Sequence, residues 1–185
     1  MIIKYMNDLQ KKFNKEIQPA MMKEFGYDNI MQCPKIDKIS VNVGLSQAGE
    51  NKDFITDIEN DLKLILGQSP IITTAKKSIA GFKTRQGQKI GMKATLRGSK
   101  MWDFMYRLIG ASLPRIKDFR GLEVKSFDNE GNFSIGIKEH LIFPEISTDD
   151  LRNIFGFQVN ISVKANNKEE GIYLVRALGF PIKKD

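Results

Sequence analysis

Residues 73–98 read TTAKKSIAGFKTRQGQKIGMKATLRG, with seven Lys or Arg and no Asp or Glu. Pro70 precedes a short strand, IITT, at 71–74, and MKATLR at 92–97 alternates in the two-residue period of a strand. Between them Gly81, Gly87 and Gly91 interrupt any helix. The stretch is therefore strand, loop, strand. The loop, 76–91, has 16 residues and five basic side chains. That is long for a connection between strands, and long ordered loops are often functional. Its glycines let a backbone come close to a phosphate chain. Ile79 and Phe82 are apolar in a solvated loop, placed to anchor its base or to pack on a ribose or base. The loop reads as a basic finger, mobile when free and ordered on its partner.

The chain on either side supplies more strands of the same kind. KISVNVG, 38–44, points Ile39, Val41 and Val43 one way and Lys38, Ser40 and Asn42 the other. FSIGIKE, 133–139, and QVNISVK, 158–164, alternate too, and FDNEGNF, 127–133, is a hairpin turn between strands. Residues 4–25 read as an amphipathic helix ending at Gly26. A second helix, 51–66, lines up Phe54, Ile58, Leu62 and Leu66 and stops at Gly67. Ser99 caps a helix through Leu113 whose Met101, Met105, Leu108 and Ile109 face a core, with Pro114 just after it. Ser147 and Asp150 mark a short helix near 148–154. Asn166 or Asn167 caps a last helix with Glu169 and Glu170 in its first turn, where the helix dipole favours them. No repeat, linker or low-complexity tract divides the chain. The expected fold class is α+β: one domain over 1–185, a mainly antiparallel sheet with helices packed on one face, and loop 76–91 projecting as a finger.

The net charge is +7, and its distribution says more than its size. Residues 1–61 carry 8 basic and 10 acidic groups, residues 62–121 carry 13 and 2, and residues 122–185 carry 8 and 10. The excess sits wholly in the middle third, which implies a polyanionic partner. The four alternating strands add a platform. Their polar sides carry Lys38, Ser40, Asn42; Lys93, Thr95, Arg97; Ser134, Gly136, Lys138; and Asn160, Ser162, Lys164. These are five cations and several small hydrogen-bonding groups, with no carboxylate. Such a face holds phosphates with Lys and Arg, and reaches ribose hydroxyls or base edges with Asn, Ser and Thr. It lacks paired aromatics for stacking, so it suits structured RNA better than splayed single strands.

Other classes fit poorly. One cysteine, Cys33, makes no internal disulfide, and one histidine, His140, heads no metal cluster. The nearest phosphate-loop match, GLSQAG at 44–49, is followed by Glu50 and Asn51 where Lys and Ser or Thr are needed. No nucleophile motif has a histidine to serve it. No catalytic residue, metal or cofactor is expected. No apolar run approaches the ~18 residues of a membrane span, and the start MIIKYMNDLQKKF lacks the apolar core of a signal peptide. A membrane-surface binder needs a basic amphipathic helix, whereas the basic residues here lie in a glycine-broken loop and on strands.

Three long runs then carry a resemblance: GQSPIITTAKKSIAGFKTRQGQKIGMKATLRG (67–98), MWDFMYRLIGASLPRIKDFRGL (101–122) and KSFDNEGNFSIGIKEHLIFPEI (125–146). They closely resemble the bacterial-type large-subunit ribosomal protein L-five family, and the match runs in order from about Met21 to Pro181. The resemblance implies a curved antiparallel sheet backed by helices. It implies binding to 5S ribosomal RNA in the central protuberance and a tie to 23S ribosomal RNA. It implies a loop that reaches the elbow of peptidyl-site tRNA, contacts with neighbouring large-subunit proteins, and a bridge to a small-subunit head protein. The protein would be a monomer within the ribosome, in a bacterial cytoplasm or an organelle. The ribosomal-RNA contacts carry over to Asn42 in ISVNVG, Gln68 in LGQSP, and Thr95 and Arg97 in KATLRG, with Lys93 beside them on the strand. The tRNA finger carries over to Lys76, Lys77, Lys83, Arg85 and Lys89, with Phe82 and Gln86. Position 94 is Ala where the family commonly has a bulkier β-branched residue, and the first 20 residues and the turn at 51–53 match weakly. The alternative is a free-standing RNA-binding regulator that uses the same face.

Overall fold

The structure is a computed structural model that describes residues 8–46, 51–82, 84–146 and 154–183. Residues 8–25 form a helical run: α1 (Asp8–Lys12), a π-helical turn (Phe13–Ile17) and α2 (Gln18–Phe25). Leu9, Phe13, Ile17 and Met21 are all buried along it. A four-residue repeat overshoots the 3.6-residue α turn, and the wider π turn takes up the excess. Gly26 ends the run at φ 69°, its N–H bonded to the Met22 carbonyl.

Strand β1 (Lys35–Gly44) leads to α3 (Lys52–Leu66). Asn51 caps α3, its side-chain oxygen accepting from the N–H groups of Asp53 (3.1 Å) and Phe54 (3.4 Å). Gly67 stops it at φ 64°. The buried stripe is Ile55, Ile58, Leu62, Ile65 and Leu66, with the expected Phe54 only half-buried. Then come β2 (Ile71–Thr74), β3 (Lys89–Leu96) and α4 (Gly98–Arg107). The junction differs from expectation. Because β3 pairs with β1 as far as Leu96, Arg97 is the helix-capping residue, and Ser99 falls inside the first turn. A π-helical turn (Leu108–Ser112) and a 3₁₀ turn (Leu113–Arg115) extend the helix.

The second half adds β4 (Phe133–Ile137), β5 (Phe157–Lys164) and α5 (Lys168–Ala177). Asp128 builds the turn before β4 by accepting from the N–H groups of Glu130 (3.0 Å) and Asn132 (2.7 Å). No full strand precedes that turn: Phe127 meets Phe133 in a single bridge, and Val124–Ser126 is a 3₁₀ turn. Asn167 sits at the start of α5 but its side chain makes no capping bond. Glu170 instead accepts from the Asn166 N–H at 2.8 Å. The short helix expected near 148–154, with Ser147 and Asp150, lies outside the described residues except for Ile154, which is not helical.

The five strands form one open, wholly antiparallel sheet in the order β2-β3-β1-β5-β4. Ile39, Val41 and Val43, then Met92, Ala94 and Leu96, then Val159 and Ile161, then Phe133 and Ile135 are buried in one cluster with the helical side chains. Gly91 allows the close approach of β1 and β3, since a Cβ there would lie 2.9 Å from the Val43 carbonyl oxygen. Among the described residues no helix is long and apolar enough to cross a membrane.

Candidate nucleic-acid interface

Alternation leaves every second side chain on the far side of the sheet, and the strand register arranges them in rows. One row runs Ser134, Asn160, Ser40, Thr95 across β4, β5, β1 and β3. The next runs Gly136, Gln158, Asn42, Lys93. Strands lie about 4.8 Å apart, so each row spans about 14 Å. Lys93, Thr95, Arg97, Asn42 and Lys138 are exposed, and Lys38, Ser40, Asn160 and Ser162 are partly so. Gln68 joins from outside the strands: its Nε2 donates to the Thr95 carbonyl at 3.3 Å. Asn42, Gln68, Lys93 and Thr95 therefore lie in one patch, with Arg97 at its end.

The face is not free of carboxylates, contrary to the sequence expectation. A bulge in β1 sets Asp37 and Lys38 together opposite Ser162. The extra residue shifts the alternation, so that Ile36 and Ile39 are both buried while Asp37 and Lys38 both turn outward. Asp37 then meets Arg97 Nη1 at 3.2 Å and Lys164 Nζ at 3.5 Å. Desolvation opposes its ionisation, but the hydrogen bond from Arg97 and the charge of Lys164 outweigh it and hold the carboxyl below its ordinary range. Asp37 thus orients two cations of the face. The signal was present in the sequence as two apolar residues three apart in a strand, which only a bulge reconciles.

The basic segment is a hydrogen-bonded hairpin. Ala75 N–H donates to the Gln88 carbonyl (2.9 Å), Gly87 N–H to the Ala75 carbonyl (3.0 Å), and Ile79 and Thr84 exchange bonds at 3.0 and 3.2 Å. Side chains add to it: Ser78 Oγ accepts from Gln86 N–H (2.9 Å), and Gln88 Oε1 accepts from Arg85 N–H (3.0 Å). Lys89 belongs to β3, so the connection is shorter than 76–91. Lys76, Lys77, Arg85 and Gln86 are exposed, whereas Lys83 lies outside the described residues. Ile79 and Phe82 sit at the tip, 50% and 80% exposed, and line the outer part of a groove beside the hairpin. The groove measures about 890 Å³ and is lined further by Leu45, Ala75, Lys76, Lys77 and Ile90.

The remaining polar singletons are structural. His140 is buried, stacks on Phe155 with ring centroids 4.1 Å apart, accepts from the Phe155 N–H at Nδ1 (3.4 Å) and approaches Asp61 with Nε2 (3.5 Å). Cys33 is buried, and burial pushes its thiol pKa up. Among the described residues no group of His, Cys, Asp or Glu is placed to hold a metal ion.

An open antiparallel sheet with helices on one side and a cationic, hydrogen-bonding face on the other defines an α+β protein suited to a polyanionic surface. Residues 29–85 match the family model of ribosomal protein L5, and residues 89–182 match the model of the C-terminal part of the same ribosomal family. Proteins named large ribosomal subunit protein uL5 align nearly end to end. That of Geotalea daltonii is 49% identical over 178 residues, covering 96% of this chain and 99% of its own. That of Thermosipho melanesiensis is 48% identical over 176 residues, covering 95% and 97%. That of Oenococcus oeni is 46% identical over 179 residues, covering 97% and 99%. The chain belongs to the ribosomal protein L5 family. It is a structural constituent of the large ribosomal subunit and not an enzyme.

Proposed function

We propose that the chain binds 5S ribosomal RNA through the β3–β1 half of its polar face and ties that RNA to 23S ribosomal RNA. Asn42, Gln68, Lys93, Thr95 and Arg97 make the contacts in this reading. The hairpin, with Lys76, Lys77, Lys83, Arg85 and Lys89 and with Phe82 and Gln86, reaches the peptidyl-site tRNA. Neighbouring large-subunit proteins and a small-subunit head protein complete its surroundings, and the chain acts as one domain. The observation that carries the reading is the convergence of the patch: the β1–β3 register and the Gln68–Thr95 bond gather residues that lie far apart in sequence. Holding RNA needs phosphate contacts and shape, and no acid or nucleophile.

The test is a pair of variants. Thr95→Ala with Arg97→Ala should weaken 5S RNA binding by about 2 kcal/mol, one neutral and one charged hydrogen bond, while costing the fold no more than about 1 kcal/mol, the worth of the exposed Arg97–Asp37 pair. Equal affinity in variant and wild type contradicts the assignment. Shortening the hairpin should spare 5S binding and weaken tRNA retention in the peptidyl site. Loss of 5S binding by a folded, shortened chain contradicts the division of labour.

A further inference from the structure

The start of β1 and the end of β5 bound a cleft that lies away from Asn42 and Lys93. It measures about 890 Å³, inside the range of about 300–1,000 Å³ usual for ligand sites. Tyr27, Met31, Gln32, Lys35, Glu130 and Asn166 line it, with Lys164. Lys35 and Lys164 are direct partners across β1 and β5, so two cations stand side by side at one rim.

The wall opposite is built, not accidental. Asn29 accepts from the Met31 N–H at 2.9 Å and from the Gln32 N–H at 3.0 Å through its side-chain and main-chain oxygens. This tight turn holds Met31 outward at 79% exposure, an uncommon position for a large apolar side chain. Beside it the Tyr27 hydroxyl is buried between the Glu170 carboxylate and the Asn166 side chain, which are its hydrogen-bonding neighbours. Burial and the neighbouring Glu170 carboxylate push the Tyr27 pKa up to about 12, so the group stays a neutral O–H.

The donor set selects the ligand. A bare phosphate would use Lys35 and Lys164 but be repelled by Glu130. An apolar ligand would leave Lys35 and the Gln32 amide unanswered, whereas Lys164 already meets Asp37 and Glu130 meets Asn132. A nucleotide answers both Lys35 and Gln32. Its phosphate would meet Lys35, with Lys164 shared with Asp37, and its base would lie against Met31 and Tyr27. Its edge groups would pair with the Gln32 amide, and an exocyclic amine would reach Glu130. The cleft is also joined to the sheet face, because Asp37 bonds both Lys164 and Arg97.

We propose that this cleft receives one unstacked nucleotide of the RNA that lies on the sheet. The inference rests on the RNA-binding reading above and deepens it. The sheet takes stacked, structured RNA, and the cleft takes a base that leaves the stack.

The experiment uses the full chain and two labelled probes: a short unstructured oligoribonucleotide of mixed sequence, and 5S ribosomal RNA. Met31→Ala with Gln32→Ala alters the cleft wall without changing any charge, and both residues are exposed, so the fold is kept. This variant should bind the oligoribonucleotide about tenfold more weakly, the size expected when one base loses its packing partner. Thr95→Ala with Arg97→Ala should lower 5S binding instead. Equal oligoribonucleotide binding by wild type and Met31→Ala/Gln32→Ala overturns the cleft, and so does absence of oligoribonucleotide binding by wild type. In either case a 5S defect in the sheet variant leaves the RNA-binding reading standing. An oligoribonucleotide defect in the cleft variant with no 5S defect in the sheet variant supports the cleft and moves the failure to the sheet assignment.

Discussion

The sheet face and the hairpin after β2 are both cationic, but they are held in different ways. On the sheet each polar side chain alternates with one sealed in the core: Val41 and Val43 are 1% exposed, and Met92 and Leu96 are 0%. The positions of Asn42, Lys93 and Thr95 are therefore set by the packing of the whole domain. In the hairpin no described residue of 76–90 is buried. Its shape comes from a few local bonds, among them those of Ser78 and Gln88. A rigid array can read the spacing of a structured RNA. A hairpin of this kind presents its charge clear of the core.

The largest test of that contrast is stability. Ile39→Ala, under the sheet, should cost about 2–5 kcal/mol in denaturant unfolding. Phe82→Ala, at the hairpin tip, should change stability by no more than about 0.5 kcal/mol. Comparable losses would show that the hairpin is part of the packed fold.

A smaller effect separates the two kinds of charge. Lys76→Ala with Lys77→Ala should reduce the salt dependence of binding to an unselected structured RNA by about one slope unit for each phosphate no longer neutralised. Preference for 5S RNA over that RNA should persist. If preference falls with the slope, the hairpin contributes to selection and the contrast fails.

The smallest effect is on pH. Burial, partly offset by Asp61, holds the His140 pKa below its ordinary value. The unfolded chain then takes up a proton near about pH 6.5 while the folded chain resists it. Stability should be full above that pH and decline as pH falls through it toward the folded-state value. His140→Gln should flatten the decline in melting temperature between about pH 7 and 5.5. An unchanged slope would mean that other groups govern it. The hairpin, far less dependent on the core, should keep its share of salt-dependent binding over the same interval.

The sheet was legible in the sequence because burial on one side imposes a two-residue period, and four strands showed it. The patch was legible in part. Asn42, Lys93, Thr95 and Arg97 fall out of that period, but Gln68 reaches Thr95 through a bond that spans 27 residues. Alternation hides Asp37, because it assumes an unbroken strand and the bulge adds a residue. The sequence marks the hairpin as basic and glycine-broken. Its shape was not readable, because side-chain-to-backbone bonds such as Ser78 to Gln86 set it and no periodic pattern does. The pairing of His140 with Asp61 joins distant elements and left no local trace.

The most direct test of the central claim is binding to 5S ribosomal RNA and to an unrelated structured RNA of similar size across a salt series. A face that reads RNA shape predicts tight, 5S-selective binding with a moderate salt slope, since only part of the affinity is released counterions. Equal and steeply salt-dependent binding to both RNAs would contradict it, and would reduce the face and the hairpin alike to a general attraction for polyanions.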